Sequence, residues 1–483
     1  MTEHNLKDKT VKALGWSFVD KFGQQFIYLA TAIVLARLLS QADYGLMGML
    51  AIFVALSNVL LDSGFGGALI KKQQTTQADY NAVFYFNVIV SFALYGVLYA
   101  AAPLIARFYD EPQLILLSRI LFLTILFNAF NFIQTILLTK HLHFNRLAQI
   151  NFISLLLSSV IAALLAIRGA GVWALVAQTM LLALFKSILL WCFNSWRPSF
   201  GFSLQPLKEA FAFSSHMLLS GIINVVFNNI YSVIIGKSYN KVELGNYQQA
   251  NKFQDIPVSL ISNTFRTVVL PVFSNVNTDN ERLGRVLEKT IKSIAFVLFP
   301  VIMGLYVVAE PLIVGLIGEK WLPSVAIFRI LLLSGLFSVF AQIFNELLVS
   351  KGKSRTYLRV EIAKKAVLVI AIISTLQWGV QGLAVGWVVY SFTALCLSGY
   401  YACRIISYPF GSFFRSITPY LLLAIAMTAC ISLFFLVEMH TYLRMGLQII
   451  CGIVFYAGAC LLLKLEMSKE VAQLIHRKRK HES

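Results

Sequence analysis

The sequence predicts an all-α polytopic membrane protein with about 14 transmembrane helices, built as two six-helix lobes followed by two additional helices. Three observations predict this class. Hydrophobic residues make up 58% of the 483 residues and charged residues only 13%, whereas a soluble core of this size would interleave charge more densely. Apolar runs long enough to cross a bilayer follow one another along the chain. Short basic clusters recur at alternate junctions between these runs.

The apolar runs define the predicted spans. In order, they cover residues 15–39, 44–61, 83–105, 114–138, 150–167, 171–193, 211–235, 256–273, 291–309, 328–349, 360–376, 380–402, 417–437 and 443–465. The spans and their short connections use almost the whole chain, which leaves no room for a soluble catalytic domain. The longest external connection, residues 237–255, is expected to be a loop.

Basic residues cluster before the first span and after each even-numbered span. They are Lys7, Lys9 and Lys12; Lys71 and Lys72; Lys140 and Arg146; Arg197 and Lys208; Arg282, Arg285 and Lys289; Lys351, Lys353, Arg355 and Arg359; Arg404 and Arg415; and Arg477, Lys478, Arg479 and Lys480. Because Lys and Arg stay on the cytoplasmic side, both termini are predicted to be cytoplasmic. The net charge of +18 then reflects topology and attraction to anionic lipid, and no nucleic-acid partner is expected.

An internal duplication divides the chain, because residues 13–200 resemble residues 210–406. Three of the matched segments are Asp43-Tyr44-Gly45 with Glu243-Leu244-Gly245, Arg119-Ile120-Leu121 with Arg329-Ile330-Leu331, and Thr139-Lys140 with Ser350-Lys351. Each copy contains six spans, so both enter the membrane from the same side and form a parallel repeat. The predicted domains are an N-terminal lobe (1–200), a C-terminal lobe (201–410), two additional transmembrane helices (411–465) and a basic cytoplasmic tail (466–483).

Polar residues form a stripe on the first helix of each copy. The stripes contain Asp20, Gln24, Tyr28 and Thr31 in the first span, and Ser220, Asn224, Asn228 and Tyr231 in the seventh. The spacing i, i+4, i+8, i+11 places each set on one helical face. Polar groups are costly in hydrocarbon, so the stripes are expected to line a wet cavity between the lobes. The alternative is hydrogen bonding between packed helices.

Charged residues within the spans are the other candidates for a binding site. Arg266 lies mid-span, and a guanidinium at that depth needs an anionic ligand, water, or an acidic partner such as Asp20 or Glu346. Lys186 and Lys21 could bind an anion or could snorkel toward the cytoplasmic surface. Asp20, Glu346 and Asp62 are candidates for ion coupling, although local capping also explains Asp62. Glu361, Lys364 and Lys365 could pair across one helix turn.

The residues give no sign of catalysis. Gly236-Lys237-Ser238 and Gly352-Lys353-Ser354 end like a phosphate loop, but the glycine-rich first half of the motif is missing. The histidines have no metal-binding spacing, and the six cysteines form no C-x-x-C pair. We therefore expect a protein that is not an enzyme and that has no metal site and no cofactor.

Several segments together resemble one transporter superfamily. They are Leu35-Ala36-Arg37 with Gly45, Asp62-Ser63-Gly64-Phe65-Gly66, His143-Phe144-Asn145-Arg146, Arg266 through Leu270-Pro271-Val272-Phe273, and Gly318-Glu319-Lys320-Trp321. In this order on a duplicated chain, they resemble the multidrug/oligosaccharidyl-lipid/polysaccharide exporters. Within that superfamily, the chain looks most like the polysaccharide flippases of the Wzx type, in the colanic acid exporter branch.

The resemblance implies a substrate, a location and partners. It implies that undecaprenyl-diphosphate-linked oligosaccharide passes from the cytoplasmic to the periplasmic leaflet of a bacterial inner membrane by alternating access. The partners would be this lipid-linked oligosaccharide, membrane lipids, a polysaccharide polymerase and glycosyltransferases, and the protein itself would be a monomer. The resemblance also implies a cationic central cavity; Arg266, Lys186 and Lys21 are our candidates for it because of their chemistry and depth, not because of the family motifs.

Rival functions remain open at this level. A drug or metabolite antiporter of the same superfamily would usually have about twelve spans and would favour acidic residues in its cavity. A peptidoglycan-precursor flippase would have the same number of spans. A membrane glycosyltransferase or polymerase would need a large polar external loop, which the chain lacks. The residues do not identify the glycan, the coupling ion, the resting conformation or the oligomeric state.

Overall fold

The computed structural model describes residues 23–25, 27–62, 65–199 and 205–469, the last range with its side chains from residue 218 onward. Helices and short turns account for these residues, and none of them is in a β-strand. Most of the chain divides into long helices joined by connections of a few residues. The contacts between helices group the chain into two compact units, Met1–Gln248 (unit 1) and Gln249–Ser483 (unit 2).

The described residues of the first part of the chain, up to residue 199, form eight helical elements. They are α1 (helical at 23–25 and 27–38), α2 (Gln41–Asp62), α3 (Phe65–Lys71), α4 (Gln77–Tyr109), α5 (Leu114–Leu121), α6 (Leu123–Lys140), α7 (Phe144–Ile167) and α8 (Val172–Phe193). Helix α4 begins with a capping box, in which the side chains of Thr76 and Asp79 each accept a hydrogen bond from the other's backbone N–H. This cap starts the helix six residues before the apolar run begins.

The described residues from 205 to 469 form nine further α-helices. They are α9 (Gln205–Ser238), α10 (Lys241–Asn275), α11 (Asn280–Val307), α12 (Ala309–Ile317), α13 (Leu322–Ser350), α14 (Ser354–Thr375), α15 (Gly379–Ile405), α16 (Phe410–Ser432) and α17 (Thr441–Leu462). The expectation of a loop at 237–255 is wrong, because α10 begins at Lys241. Asn246, Gln249 and Gln254 are buried in this stretch. A backbone that leaves water needs internal partners for its N–H and C=O groups, and a helix supplies them.

Twelve segments of the described residues are long and apolar enough to cross a membrane. One of them, Ser354–Ile405, contains both α14 and α15. The first predicted span, 15–39, lies partly outside the described residues, so the total of fourteen spans stays a prediction. The class is confirmed: the chain is an all-α polytopic membrane protein.

The helix ends of unit 1 separate into two groups. At one end, Lys140 Nζ lies 2.6 Å from the Lys72 carbonyl oxygen, and Gln77 Nε2 lies 2.8 Å from that of Arg197. These basic connections therefore meet at one end of the unit. The opposite end gathers the turns near residues 40, 110 and 240, which come together through the contacts described below. The alternation that the basic clusters predict is thus present in the packing of unit 1.

Equivalent lysines in the two copies stabilise equivalent helix ends. Lys140 Nζ donates to the carbonyl oxygens of Leu69 (2.9 Å) and Lys72 (2.6 Å), at the C-terminal end of α3. In the second copy, Lys351 Nζ donates to the Asn277 carbonyl oxygen, just after α10. The last carbonyls of a helix have no partner within the helix and carry a partial negative charge, so an ammonium group stabilises them. The duplication seen in the sequence therefore extends to side-chain function.

Within each unit, the packing follows neighbouring spans. In unit 1, α7 lies against α8, α4 against α6, and α9 along α2 and α4. In unit 2, α15 packs on α13 and α14, and α11 packs on α16. The boundary between the units falls inside α10, whereas the lobes predicted at 1–200 and 201–410 follow the repeat in sequence and stay a prediction.

Candidate functional site

Arg266 and Glu346 form an ion pair within unit 2. Arg266 Nε lies 2.8 Å from Glu346 Oε1, and the side chains are 54% and 10% exposed, respectively. Glu346 is thus the acidic partner that the sequence analysis considered for Arg266. The pair is made through Nε, and the guanidinium carries four further N–H groups. The exposed part of Arg266 can therefore still bind an anion.

The two helices that carry this pair hold it differently. On α10, Arg266 lies between Pro257 and Pro271 on a stretch whose side chains are largely exposed. On α13, Ser338, Gln342 and Glu346 follow one another at intervals of four residues; the first two are half-buried and Glu346 is buried. A buried carboxylate is costly unless it is paired. Arg266 supplies the charge that Glu346 needs.

Helix α14 adds a second ion pair beside the first. Lys364 pairs with Glu361, as the spacing predicts, and the Lys364 side chain is buried. Tyr357, one turn before Glu361, lies within electrostatic range of Arg266, Glu346 and Glu361. We call Arg266, Glu346, Tyr357, Glu361 and Lys364 the Arg266 cluster. It joins α10, α13 and α14 through charges that compensate each other.

The two polar stripes have similar exposure patterns. On α9, Ser220, Asn224 and Asn228 are exposed, whereas Tyr231 is 2% exposed. On α1, Gln24 is half-buried, Tyr28 is exposed and Thr31 is buried, with its hydroxyl donating to the Ile27 carbonyl oxygen. The last residue of each stripe is therefore packed inside the protein, and the earlier ones are accessible. That these stripes line a cavity stays a prediction.

The remaining site candidates are spread over unit 1. Lys186 is half-buried in the second half of α8 and interacts with other groups. Asp62 is exposed at the end of α2. Asp20 and Lys21 lie outside the described residues. Unit 1 also contains a polar contact that the sequence analysis missed, between Asn58 of α2 and Asn128 of α6, whose side-chain amides are 3.0 Å apart.

A reciprocal glycine contact joins the first residues of α2 and α10. A Cβ atom on Gly45 would lie 1.8 Å from the Lys241 carbonyl oxygen, and one on Gly245 would lie 1.9 Å from the Gln41 carbonyl oxygen. Only glycine allows backbones to approach so closely. Gly45 and Gly245 are the matched glycines of the repeat. Gly45 lies four residues after Gln41, which Gly245 contacts, and Gly245 lies four residues after Lys241, which Gly45 contacts. We call these four residues the glycine junction.

Two ion pairs flank the glycine junction. Lys241 Nζ lies 2.9 Å from Glu111 Oε2, in a pair that is half-buried. Lys237 Nζ lies 2.9 Å from Asp110 Oδ2, with both side chains well exposed. The partly buried pair is expected to contribute more, because solvent screens the exposed one. The sequence shows the matched glycines and the nearby acids, but their pairing becomes visible only in the fold.

Comparison with known proteins identifies the family. A family model described as polysaccharide biosynthesis protein matches residues 34–326, more than half of the chain. The chain belongs to this family. The match covers the glycine junction and Arg266, and ends in the first turn of α13, before Glu346.

Three curated relatives of this family member have names that refer to polysaccharides. The teichuronic acid biosynthesis protein TuaB of Bacillus subtilis (strain 168) is 26% identical over 85% of this chain and 86% of its own. The succinoglycan biosynthesis transport protein ExoT of Rhizobium meliloti (strain 1021) is 29% identical over 68% of this chain and 66% of its own. The lipopolysaccharide biosynthesis protein WzxC of Escherichia coli (strain K12) is 22% identical over 82% and 81%.

Solved structures confirm the fold of this family member. The lipid II flippase MurJ, in an inward closed conformation, matches 93% of this chain and 99% of its own with a TM-score of 0.75 and 15% identity. An inward-facing multidrug resistance transporter of the MATE family and MOP superfamily matches 80% and 94%, with a TM-score of 0.62 and 15% identity. The chain therefore has the fold of this transporter superfamily, as its resemblance implied.

Proposed function

We propose that the chain is a flippase that moves undecaprenyl-diphosphate-linked oligosaccharide from the cytoplasmic to the periplasmic leaflet of the bacterial inner membrane by alternating access. The proposal rests on its membership of a polysaccharide biosynthesis family and on the names of its relatives. One observation carries the mechanism: Arg266 is a permanent cation on a membrane helix, yet more than half of its side chain is accessible.

The chemistry of this substrate matches an exposed arginine. A diphosphate linked to sugars carries negative charge and many hydroxyl groups, which cost several kcal/mol each in hydrocarbon without a partner. The planar guanidinium can donate two parallel hydrogen bonds to a phosphate. The polyprenyl tail can remain in lipid while the head crosses.

Glu346 gives Arg266 a partner when substrate is absent. An unpaired cation in a membrane protein is costly, and Glu346 lowers that cost at 2.8 Å. The incoming diphosphate then binds the accessible edge of the guanidinium, while Glu346 holds Nε. Glu346 is for this reason the strongest of the three coupling candidates, ahead of Asp20 and Asp62; protonation of its carboxylate would strengthen the hold of Arg266 on an anion.

The other site candidates are assigned supporting roles. Asn224, Asn228 and Gln24 would offer hydrogen bonds to sugar hydroxyls, and Lys186 and Lys21 would add positive charge for the diphosphate.

The glycine junction lies at the end of unit 1 that the basic clusters predict to be periplasmic. We propose that it closes this end in the inward-facing state and separates when substrate is released. A polysaccharide polymerase and glycosyltransferases would act before and after the protein, which would work as a monomer.

Two rival classes of substrate are compatible with a transporter of this fold. Cationic drugs are disfavoured because Glu346 and Glu361, the acids of α13 and α14, already pair with the protein's own cations. A peptidoglycan precursor has the same diphosphate chemistry, and the names of the curated relatives favour other polysaccharides over it.

Export of the glycan by Arg266 variants tests the proposal. Arg266→Ala should lower export by roughly 10- to 100-fold at unchanged membrane abundance, since a charge-assisted contact contributes about 1.5–3 kcal/mol. Arg266→Lys should recover only part of the activity, because an ammonium lacks the planar fork. Arg285→Ala is the matched control: Arg285 is also paired with a glutamate, Glu281, at 2.7 Å, but on the surface of unit 2.

A purely structural pair predicts another outcome. Arg266→Ala would then lower membrane abundance by leaving Glu346 buried and unpaired, and Arg266→Ala/Glu346→Gln would restore both abundance and export. Normal export by Arg266→Ala at normal abundance would eliminate the anion site.

A further inference from the structure

A charged cavity lies in unit 2, lined by none of the residues of the Arg266 cluster. It has a volume of about 410 Å³ and opens between α11, α16 and the residues that follow α17. Its polar lining consists of Glu288, Lys292, Ser412, Arg415, Ser416 and Glu466. The proposed transport mechanism uses none of these residues.

The acidic side of this cavity has a surplus carboxylate. Lys292 Nζ pairs with Glu288 Oε1 at 2.9 Å and with Glu466 Oε2 at 2.6 Å. Each carboxylate uses one oxygen in this contact, and its second oxygen can still accept hydrogen bonds. One ammonium thus faces two carboxylates, which leaves one negative charge over. A further cation placed between Glu288 and Glu466 would balance the charge.

The basic side of the cavity comes from one face of α16. Arg415 and Ser416 lie three and four residues after Ser412, so each is a neighbour of Ser412 on the helix, and all three line the cavity. Arg415 is exposed, and no carboxylate among the described residues lies within ion-pair distance of it. A guanidinium flanked by two hydroxyl groups offers several donors to a phosphate. This side of the cavity therefore suits an anion.

Together, the two sides suit a zwitterion. Free phosphate would leave the surplus carboxylate unbalanced, and a simple cation would leave Arg415 without an anion. A ligand with a phosphate next to a primary ammonium satisfies both sides at once. The primary ammonium also donates hydrogen bonds to the free carboxylate oxygens, which a quaternary choline cannot do.

The surroundings of the cavity favour a lipid over a soluble ester. Pro419, Tyr420 and Leu465 complete the lining, and apolar side chains nearby on α16 and α17 are accessible, with Leu422 60% and Leu461 57% exposed. Large accessible apolar surface on a membrane helix is covered by acyl chains. Arg404 and Arg415 belong to a junction that the charge pattern predicts to be cytoplasmic, at headgroup depth. We propose that this cavity binds the phosphoethanolamine headgroup of a phosphatidylethanolamine molecule from the cytoplasmic leaflet.

Lipid retention by the full-length protein tests this site. The protein is purified in mild detergent, incubated with vesicles of phosphatidylethanolamine, phosphatidylcholine or phosphatidylglycerol, and analysed by native mass spectrometry. The wild type should retain phosphatidylethanolamine in preference to the other two lipids. Arg415→Ala and Glu466→Gln should each weaken retention about tenfold. Arg404→Ala is the matched control, because Arg404 is an exposed arginine of the same junction outside the cavity lining.

Other results would overturn the assignment. Equal retention of phosphatidylcholine would exclude recognition of the ammonium group, and preference for phosphatidylglycerol would indicate an anion site. Unchanged retention in Arg415→Ala would remove the site from this cavity. If soluble glycerophosphoethanolamine displaces the lipid at equal concentration, the ligand is a soluble ester. If Arg415→Ala fails to fold, Arg415→Gln replaces it, and loss of lipid preference in that variant would support the site whereas full preference would refute it.

Discussion

The glycine junction allows a sharp test of how the protein closes. A Cβ atom on residue 45 would lie 1.8 Å from the Lys241 carbonyl oxygen, whereas real contacts of this kind stay above 3.0 Å. In Gly45→Ala, α2 and α10 must therefore separate by about 1.2 Å at this point. Overpacking of this kind costs about 1–3 kcal/mol. The same substitution at Gly245 has nearly the same geometry.

If the junction opens during transport, the clash in Gly45→Ala destabilises only the closed state. A cost of about 2 kcal/mol would shift the balance between closed and open states roughly 30-fold toward the open one. Glycan export should fall, while membrane abundance should change little, because the open state relieves the clash. Gly96→Ala is the matched control, since Gly96 is a helical glycine with no atom within 4 Å of the added Cβ.

Thiol labelling measures the opening directly. Leu244 is 0% exposed beside the junction. A cysteine at this position, in a variant without the native cysteines, should react about tenfold faster or more with an impermeant reagent when Gly45→Ala is present. Gly96→Ala should leave the rate unchanged. Normal export together with an unchanged labelling rate in Gly45→Ala would refute a tight, functional contact at this position.

Three further predictions concern other parts of the molecule. Lys140→Met and Lys351→Met each remove an ammonium group from helix-end carbonyls and should lower the free energy of unfolding by about 1–3 kcal/mol. Thermal unfolding in detergent measures this change. Lys353→Met is the control, because Lys353 is an exposed lysine close to Lys351. Cysteine labelling from outside intact cells should modify position 319 and spare position 353; the reverse pattern would invert the proposed topology. A cysteine at Asn224 should react readily with a water-soluble thiol reagent, and one at the apolar exposed Ile223 should not; equal, slow reaction at both would place the α9 stripe in lipid.

The sequence determined the class, the spans from the second onward, the duplication and the segregation of basic junctions. Each of these follows from local properties. An apolar run must leave water wherever it lies in the chain, and basic residues at alternate junctions indicate which helix ends lie on the same side of the membrane. The prediction of a loop at 237–255 was wrong. This stretch is polar, but from Lys241 onward it belongs to α10, and its amide side chains are buried.

Only the tertiary structure decided which groups meet. The sequence offered Asp20 and Glu346 as partners for Arg266; the structure shows the pair with Glu346, between α10 and α13, and Asp20 lies outside the described residues. Likewise, the sequence shows Gly45 and Gly245 only as matched residues of the repeat, and the structure shows that they bring the backbones of α2 and α10 into contact. Ion pairs and close backbone contacts depend on distances between residues far apart in the chain, and these distances are fixed by how helices pack rather than by what any one helix contains.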